Sequence, residues 1–135
     1  MKFLVLVIFL ILSLSINAMA QDNNTKSGDP EFSMKQYFFV FLNAVPDRPE
    51  LDSAEAMDIQ KGHLANISKM WEEGKCILAG PFMDNHNTRG ILIMDVASKE
   101  EVEELLKNDP AITNGRLTAE IRPWYGPVGL TVIPD

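Results

Sequence analysis

The sequence contains a single cysteine, Cys76, and this scarcity excludes one common source of stability. One cysteine cannot form a disulfide within the chain, so the fold must be held by packing or by association between copies. Cys76 lies in the apolar run KCILAG, which favours a buried small side chain over a reactive thiol. The chain is therefore not a disulfide-stapled scaffold.

Basic residues are also few. Twelve lysines and arginines stand against 19 aspartates and glutamates, for a formal net charge of −7. No stripe of basic residues is present to neutralise phosphates, which argues against nucleic acid and anionic lipid surfaces as partners.

Several chemical motifs are missing. The sequence has no P-loop, no glycine fingerprint for a dinucleotide and no nucleophile elbow. Asp84, His86 and Cys76 match no spacing of metal ligands, and DNHNTRG is better interpreted as a solvated turn. We therefore expect no cofactor and no metal.

The longest apolar run is shorter than the roughly 20 residues that a membrane span needs. It occupies residues 3–14, after Lys2, and is followed by Ala18 and Ala20 at the small-residue positions of a cleavage site. This pattern predicts a signal peptide over residues 1–20, cleaved after Ala20, although an uncleaved anchor is the alternative. The mature chain would lose one lysine, carry a charge of −8 and be exported to the periplasm or the extracellular space, with no membrane contact.

The remaining chain has the size of one domain. Residues 21–33 are polar, contain Gly and Pro and lack apolar periodicity, so they are predicted to form a flexible linker. We assign residues 34–128 to the domain and residues 129–135 to a C-terminal tail.

Strand and helix patterns alternate through this domain. Strands are predicted over residues 35–45, 75–82, 89–96 and 116–124, with helices over residues 54–73 and after Ser98. Gly74 is a helix stop signal, and Ser98 with Glu101 fits a capping box. The order β-α-β-β-α-β predicts an α+β fold with the ferredoxin-like plan.

The strands differ in which faces they must bury. YFFVFL and ILIM are apolar at every position, which suits the two central strands, whereas the fourth strand alternates polar and apolar residues and suits an edge. Two helices can cover one face of the sheet, so a homodimer packed sheet against sheet is predicted to cover the other. A monomer with an open apolar groove is the alternative.

His63 is the unusual residue of the first helix. At about 100° per residue it falls within a predicted sheet-facing stripe. That stripe comprises Met57, Leu64, Ile67, Met70 and Trp71. His63 is therefore either a core residue with satisfied hydrogen bonds or a group that performs acid–base chemistry.

Asp109 is its candidate partner. If the second helix runs far enough, Asp109 follows Leu105 by four residues and Leu106 by three, which directs its carboxylate inward. Alternatively, Asp109 and Pro110 are the N-cap and first residue of another helix. The sequence leaves both interpretations open.

Five further residues are candidates for substrate binding. Gly80 and Pro81 end the second strand, where a pocket can open, and Arg89 and Arg116 begin later strands and could hold an anionic group. Trp124 could line an apolar pocket or pack the C-terminal tail across the sheet. Surface solvation is the alternative role for the arginines.

Two stretches resemble the YCII-related (YciI-like) family: HLANISKMWEEGKCILAGPF and RGILIMDVASKEEVEELLKNDPAITNGRLTAEIRPWYG. The resemblance covers about residues 35–126. It implies a ferredoxin-like domain that dimerises through its sheets in a dimeric α/β barrel-like assembly. It also implies a histidine and aspartate active-site pair, matching His63 and Asp109, and lyase-like steps on small ring-derived molecules. The export signal departs from the usual cytoplasmic members.

Two functions follow as hypotheses. In the first, His63 is a general acid or base, Asp109 orients it, and the chain is a cofactor-independent lyase or isomerase. In the second, the chain is a non-catalytic module that binds a small molecule or an envelope partner, and the pair fixes the packing. Fold alone does not choose between them.

Overall fold

The computed structural model describes residues 33–132, so the predicted signal peptide, nearly all of the predicted linker and the last three residues lie outside the described part. Four strands and three helices follow one another in the chain. They are β1 (Met34–Ala44), α1 (Ser53–Glu72), β2 (Cys76–Pro81), β3 (Thr88–Met94), α2 (Lys99–Leu106), α3 (Pro110–Thr113) and β4 (Leu117–Pro127). The predicted α+β order is confirmed, with α3 as an additional short helix.

The strands form one antiparallel sheet in the order β2-β3-β1-β4. The two strands that are apolar at every position, β1 and β3, lie in the centre as predicted, and the alternating strand β4 lies at an edge. The alternation of side chains divides β1 between the two faces: Phe38, Val40 and Leu42 point into the core under the helices. Tyr37, Phe39 and Phe41 point to the other face.

Local signals define both ends of α1. The Asp52 carboxylate accepts a hydrogen bond from the Glu55 N–H at 2.8 Å and caps the first turn. At the other end Gly74 has a φ of 71°, and the N–H groups of Gly74 and Lys75 donate to the Trp71 and Met70 carbonyls. These two bonds form a Schellman motif, which confirms the predicted glycine stop.

The second helix ends too early to carry Asp109 on its inward face, as one interpretation of the sequence required. Ser98 caps α2, accepting from the Glu101 N–H at 3.2 Å, but the helix ends at Leu106. Asp109 is instead the N-cap of α3, with Pro110 in the first helical position. A proline fits there because the first N–H groups of a helix have no partner within it.

The predicted stripe on α1 was wrong in part. Met70 is buried and Ile67 packs against the core, but Met57, Leu64 and Trp71 are 71%, 52% and 59% exposed. Each of these three lies one residue, or about 100°, from the buried face of the helix. They form one row along the helix, beside the buried row that contains His63 and Met70.

The two faces of the sheet are covered differently. Helices α1 and α2 cover the core face, where Val40, Met94 and Val102 are fully buried. On the opposite face, which we call the open face, aromatic rings of Phe39, Phe41 and Trp124 lie partly exposed. In residues 33–132 no helix combines the length and apolar character needed to cross a membrane.

Candidate functional site

His63 and Asp109 form a buried pair between α1 and the start of α3. His63 Nδ1 lies 2.9 Å from both carboxylate oxygens of Asp109. His63 is 8% exposed and Asp109 is 0% exposed. Asp109 caps α3, as the second interpretation of the sequence predicted, and it reaches His63 from that position although α2 ends at Leu106.

Three donors surround the Asp109 carboxylate. Besides His63, it accepts from Asn66 Nδ2 at 3.1 Å and from the Ala111 N–H at 2.9 Å. Burial raises the pKa of Asp109, but the hydrogen bond and charge of His63, together with the bonds from Asn66 and Ala111, outweigh burial and lower it below its ordinary value. Asp109 is therefore ionised at neutral pH.

A small residue allows this contact between the two helices. A Cβ atom placed on Gly62 would lie 2.7 Å from Pro110 Cγ, which is closer than atoms can pack. Gly62 and Pro110 each adjoin a member of the pair, so their close approach brings Asp109 to His63. Glycine is tolerated inside α1 despite its low helix propensity because a larger residue would separate α1 from α3.

The ionised carboxylate fixes the tautomer of His63. A carboxylate only accepts hydrogen bonds, so the Nδ1 atom facing it carries a proton and donates. In the neutral imidazole, Nε2 is then the unprotonated nitrogen, available to accept a proton. His63 also lines a cavity of about 520 Å³ between α1 and the sheet, whereas Asp109 lies behind it, away from the lining.

Four of the five predicted binding residues line this cavity. Gly80 and Pro81 contribute from the end of β2, Arg89 from β3 and Arg116 from the turn before β4. Antiparallel pairing brings the end of β2 beside the start of β3, since Pro81 pairs with Gly90. The surrounding wall is largely aliphatic.

Trp124 does not reach the cavity. It pairs with Tyr37 in the sheet, and its ring lies 5.8 Å from the Tyr37 ring and 6.1 Å from the Phe39 ring, measured between centroids. Odd-numbered residues of β1 and their partners on β4 share the open face. The structure therefore corrects the assignment of Trp124 to the substrate site.

Sequence reasoning missed two residues of the site. Arg48 lines the cavity from the loop after β1, and Asn66 holds Asp109. Asn66 follows His63 by three residues on α1, and this spacing on one helix face is a signal that could have identified it. Arg48 gave no such signal, because its position depends on the path of a loop.

A metal centre is not evident among the described residues: no group of three or more His, Cys, Asp or Glu side chains is arranged to hold an ion within residues 33–132.

Cys76 is buried, and burial raises the pKa of its thiol to about 11. The Cys76 thiol is therefore protonated at neutral pH and is not a nucleophile.

Comparison with known proteins identifies the family. The chain is similar in fold to the 5-chloro-2-hydroxyhydroquinone dehydrochlorinase TftG from Burkholderia phenoliruptrix AC1100, solved in complex with 2,5-dihydroxybenzoquinone, with 21% sequence identity and a TM-score of 0.50. That match covers 65% of this chain and 92% of the other. Curated proteins gave no significant match. The sequence profile of the YCII-related domain matches residues 38–125, and the chain therefore belongs to the YCII-related domain family.

Proposed function

We propose that this protein is a cofactor-independent acid–base enzyme, a lyase or isomerase, that acts on a small ring-derived molecule. The observation that carries the proposal is the orientation of His63: an ionised, buried carboxylate holds Nδ1, and His63 lines a cavity whose wall is largely aliphatic. Such a geometry suits the transfer of a proton at Nε2.

The chemistry requires few groups. His63 takes a proton from an acidic C–H or O–H of the bound molecule, and Asp109 stabilises the imidazolium that forms. Return of the proton to another atom gives an isomerisation, whereas departure of a leaving group gives an elimination. The substrate class is supported by the dehydrochlorinase TftG, which has the same fold and, by its name, acts on a chlorinated ring compound.

The test is an assay of proton exchange and halide release with ring compounds, both with and without a carboxylate group. In deuterated water, NMR follows deuterium incorporation, and a chloride assay follows elimination. We expect His63→Gln to lower the rate at least 100-fold, because a general acid or base contributes about 10²–10⁴-fold. Asp109→Asn should also lower the rate, since an amide in place of the carboxylate can no longer stabilise the imidazolium.

His86→Gln provides the matched control, because His86 lies in an exposed turn outside the cavity. Its activity should equal that of the wild type. If His63→Gln retained wild-type turnover, the proposed mechanism would be wrong and the pair would be a packing feature.

We also propose that the functional unit is a homodimer formed through the open face. The partly exposed rings of Phe39, Phe41 and Trp124 support this arrangement, because large contiguous apolar patches on a surface mark interaction sites. Light scattering coupled to size-exclusion chromatography should give twice the mass of one chain. A monomer at micromolar concentration would contradict the proposal.

Export is a further proposal, and it rests on the N-terminal sequence alone. Expression of the full chain should yield a mature protein that begins at Gln21, as measured by mass spectrometry of the exported fraction. A product that retains residues 1–20 would instead favour an uncleaved anchor.

A further inference from the structure

Three arginines, Arg48, Arg89 and Arg116, line the cavity together with His63. Among the residues that the structure describes, no aspartate or glutamate lines it. This is unusual for the chain, in which acidic residues outnumber basic ones 19 to 12. The cavity is therefore a positively charged site on an acidic protein.

The three arginines also differ from most other cations of the molecule. Within residues 33–132, six of the seven other lysines and arginines form ion pairs: Lys35, Lys69, Lys75, Lys99, Lys107 and Arg122. Within residues 33–132, none of the cavity arginines forms an ion pair. Because three cations and no carboxylate line this cavity, a bound anion would supply the counter-charge that the described residues do not.

Hydrogen bonds to carbonyl groups hold two of the arginines in place. Arg48 Nη1 donates to the Arg116 carbonyl at 2.7 Å, and Arg116 Nη1 donates to the Pro49 carbonyl at 2.5 Å. These bonds fasten the loop after β1 to the start of β4. Because a guanidinium has five N–H donors, each side chain keeps donors for a ligand.

We propose that the cavity binds a small carboxylic acid with a ring-sized apolar body. The planar fork of a guanidinium matches the two oxygens of a carboxylate, and the aliphatic wall, with Leu51 and Ile59, accommodates the ring. The inference rests on the proposed function for the role of His63 as the proton-transfer group. The binding of the anion itself does not depend on that role.

Calorimetric titration of the purified protein tests the proposal with four probes: benzoate, phenol, acetate and inorganic phosphate. Benzoate combines the charge with the ring, whereas phenol and acetate each supply one of these features. We expect benzoate to bind at least about tenfold more tightly than any of the other three, since a hydrogen bond to a charged group accounts for a factor of ten or more.

Arg89→Gln is the most informative variant, because the Arg89 side chain is exposed and forms no side-chain hydrogen bond within the described residues, so its removal should not disturb folding. It should weaken benzoate binding about tenfold and leave phenol binding unchanged, and Arg89→Lys should restore part of the affinity. Lys61→Gln removes the same charge from an exposed position outside this cavity and should leave benzoate binding unchanged.

Equal affinities for phenol and benzoate, tighter binding of phosphate than of benzoate, or benzoate binding that is insensitive to Arg89→Gln would each overturn the carboxylate assignment. The two proposals fail in different ways. Benzoate binding without any detectable proton transfer would contradict the proposed enzyme alone. Proton transfer that depends on His63, together with benzoate binding that Arg89→Gln leaves unchanged, would contradict the carboxylate inference alone.

Discussion

The two faces of the sheet obtain their order from different interactions. On the core face, aliphatic side chains pack under the helices, and hydrogen bonds hold the buried pair of His63 and Asp109 in place. On the open face, aromatic rings contact one another at centroid distances of 4.9–6.1 Å. The core face thus holds the His63–Asp109 pair in a defined geometry, whereas the open face presents an apolar surface.

The largest effect on stability is expected on the core face, from Asp109→Ala. The substitution leaves two buried donors, His63 Nδ1 and the Ala111 N–H, without an acceptor and takes one of two acceptors from Asn66. Each buried donor left unpaired costs about 1–3 kcal/mol, so the free energy of unfolding should fall by about 2–5 kcal/mol. Asp52→Ala is the matched control, because Asp52 is also an N-cap but is exposed, and its loss should cost about 0.5–2 kcal/mol. Urea denaturation measures both. Equal losses would mean that Asp109 acts as a cap alone.

The open face is probed by Phe39→Glu. In the proposed homodimer this carboxylate would lie in the middle of an apolar interface and cost several kcal/mol to desolvate, so the variant should be monomeric. Phe82→Glu is the control, since Phe82 is 46% exposed at the rim of the cavity and away from the open face. Light scattering reports the mass. A dimer broken by Phe82→Glu and not by Phe39→Glu would locate the interface elsewhere.

Gly126→Ala tests the packing of rings on the open face and should have a smaller effect on stability. The added Cβ would lie 2.4 Å from Trp124 Cζ3, so the indole must move, and overpacking of this kind costs about 1–3 kcal/mol. Gly80→Ala, at a position with no atom within 4 Å of the added Cβ, should change the thermal midpoint little. Similar midpoints for the two variants would show that Trp124 is loosely packed.

The smallest expected effect is electrostatic and concerns the pKa of Asp109. Because the folded-state pKa of Asp109 lies below its ordinary value of 3.8, this residue contributes stability above that value, which is lost as the pH falls through the folded pKa. Asn66→Ala removes one of the bonds that favour the carboxylate and should raise the pKa of Asp109. Carbon-13 NMR titration of the side-chain carboxyl measures the pKa directly. A wild-type pKa above 3.8 would contradict the assignment.

Much of the fold could be predicted because local signals and strand composition agreed with it. Gly74 ended α1, Ser98 began α2, and the apolar strands β1 and β3 took the centre. The orientation of α1 could be predicted only in part, since apolar periodicity does not distinguish the buried row from an exposed row beside it. Met57 and Trp71 lie in that exposed row.

The sequence by itself determined the order of the elements, their caps and the candidate residues His63 and Asp109, because these follow from periodicity and from residue type. Tertiary structure alone decided that Asp109 both caps α3 and contacts His63, because that contact depends on the close approach of Gly62 and Pro110, which lie 48 positions apart. It also decided that Arg48 joins the cavity and that Trp124 faces the opposite side. A loop path and a strand register place those two residues, and neither is encoded in the few residues around them.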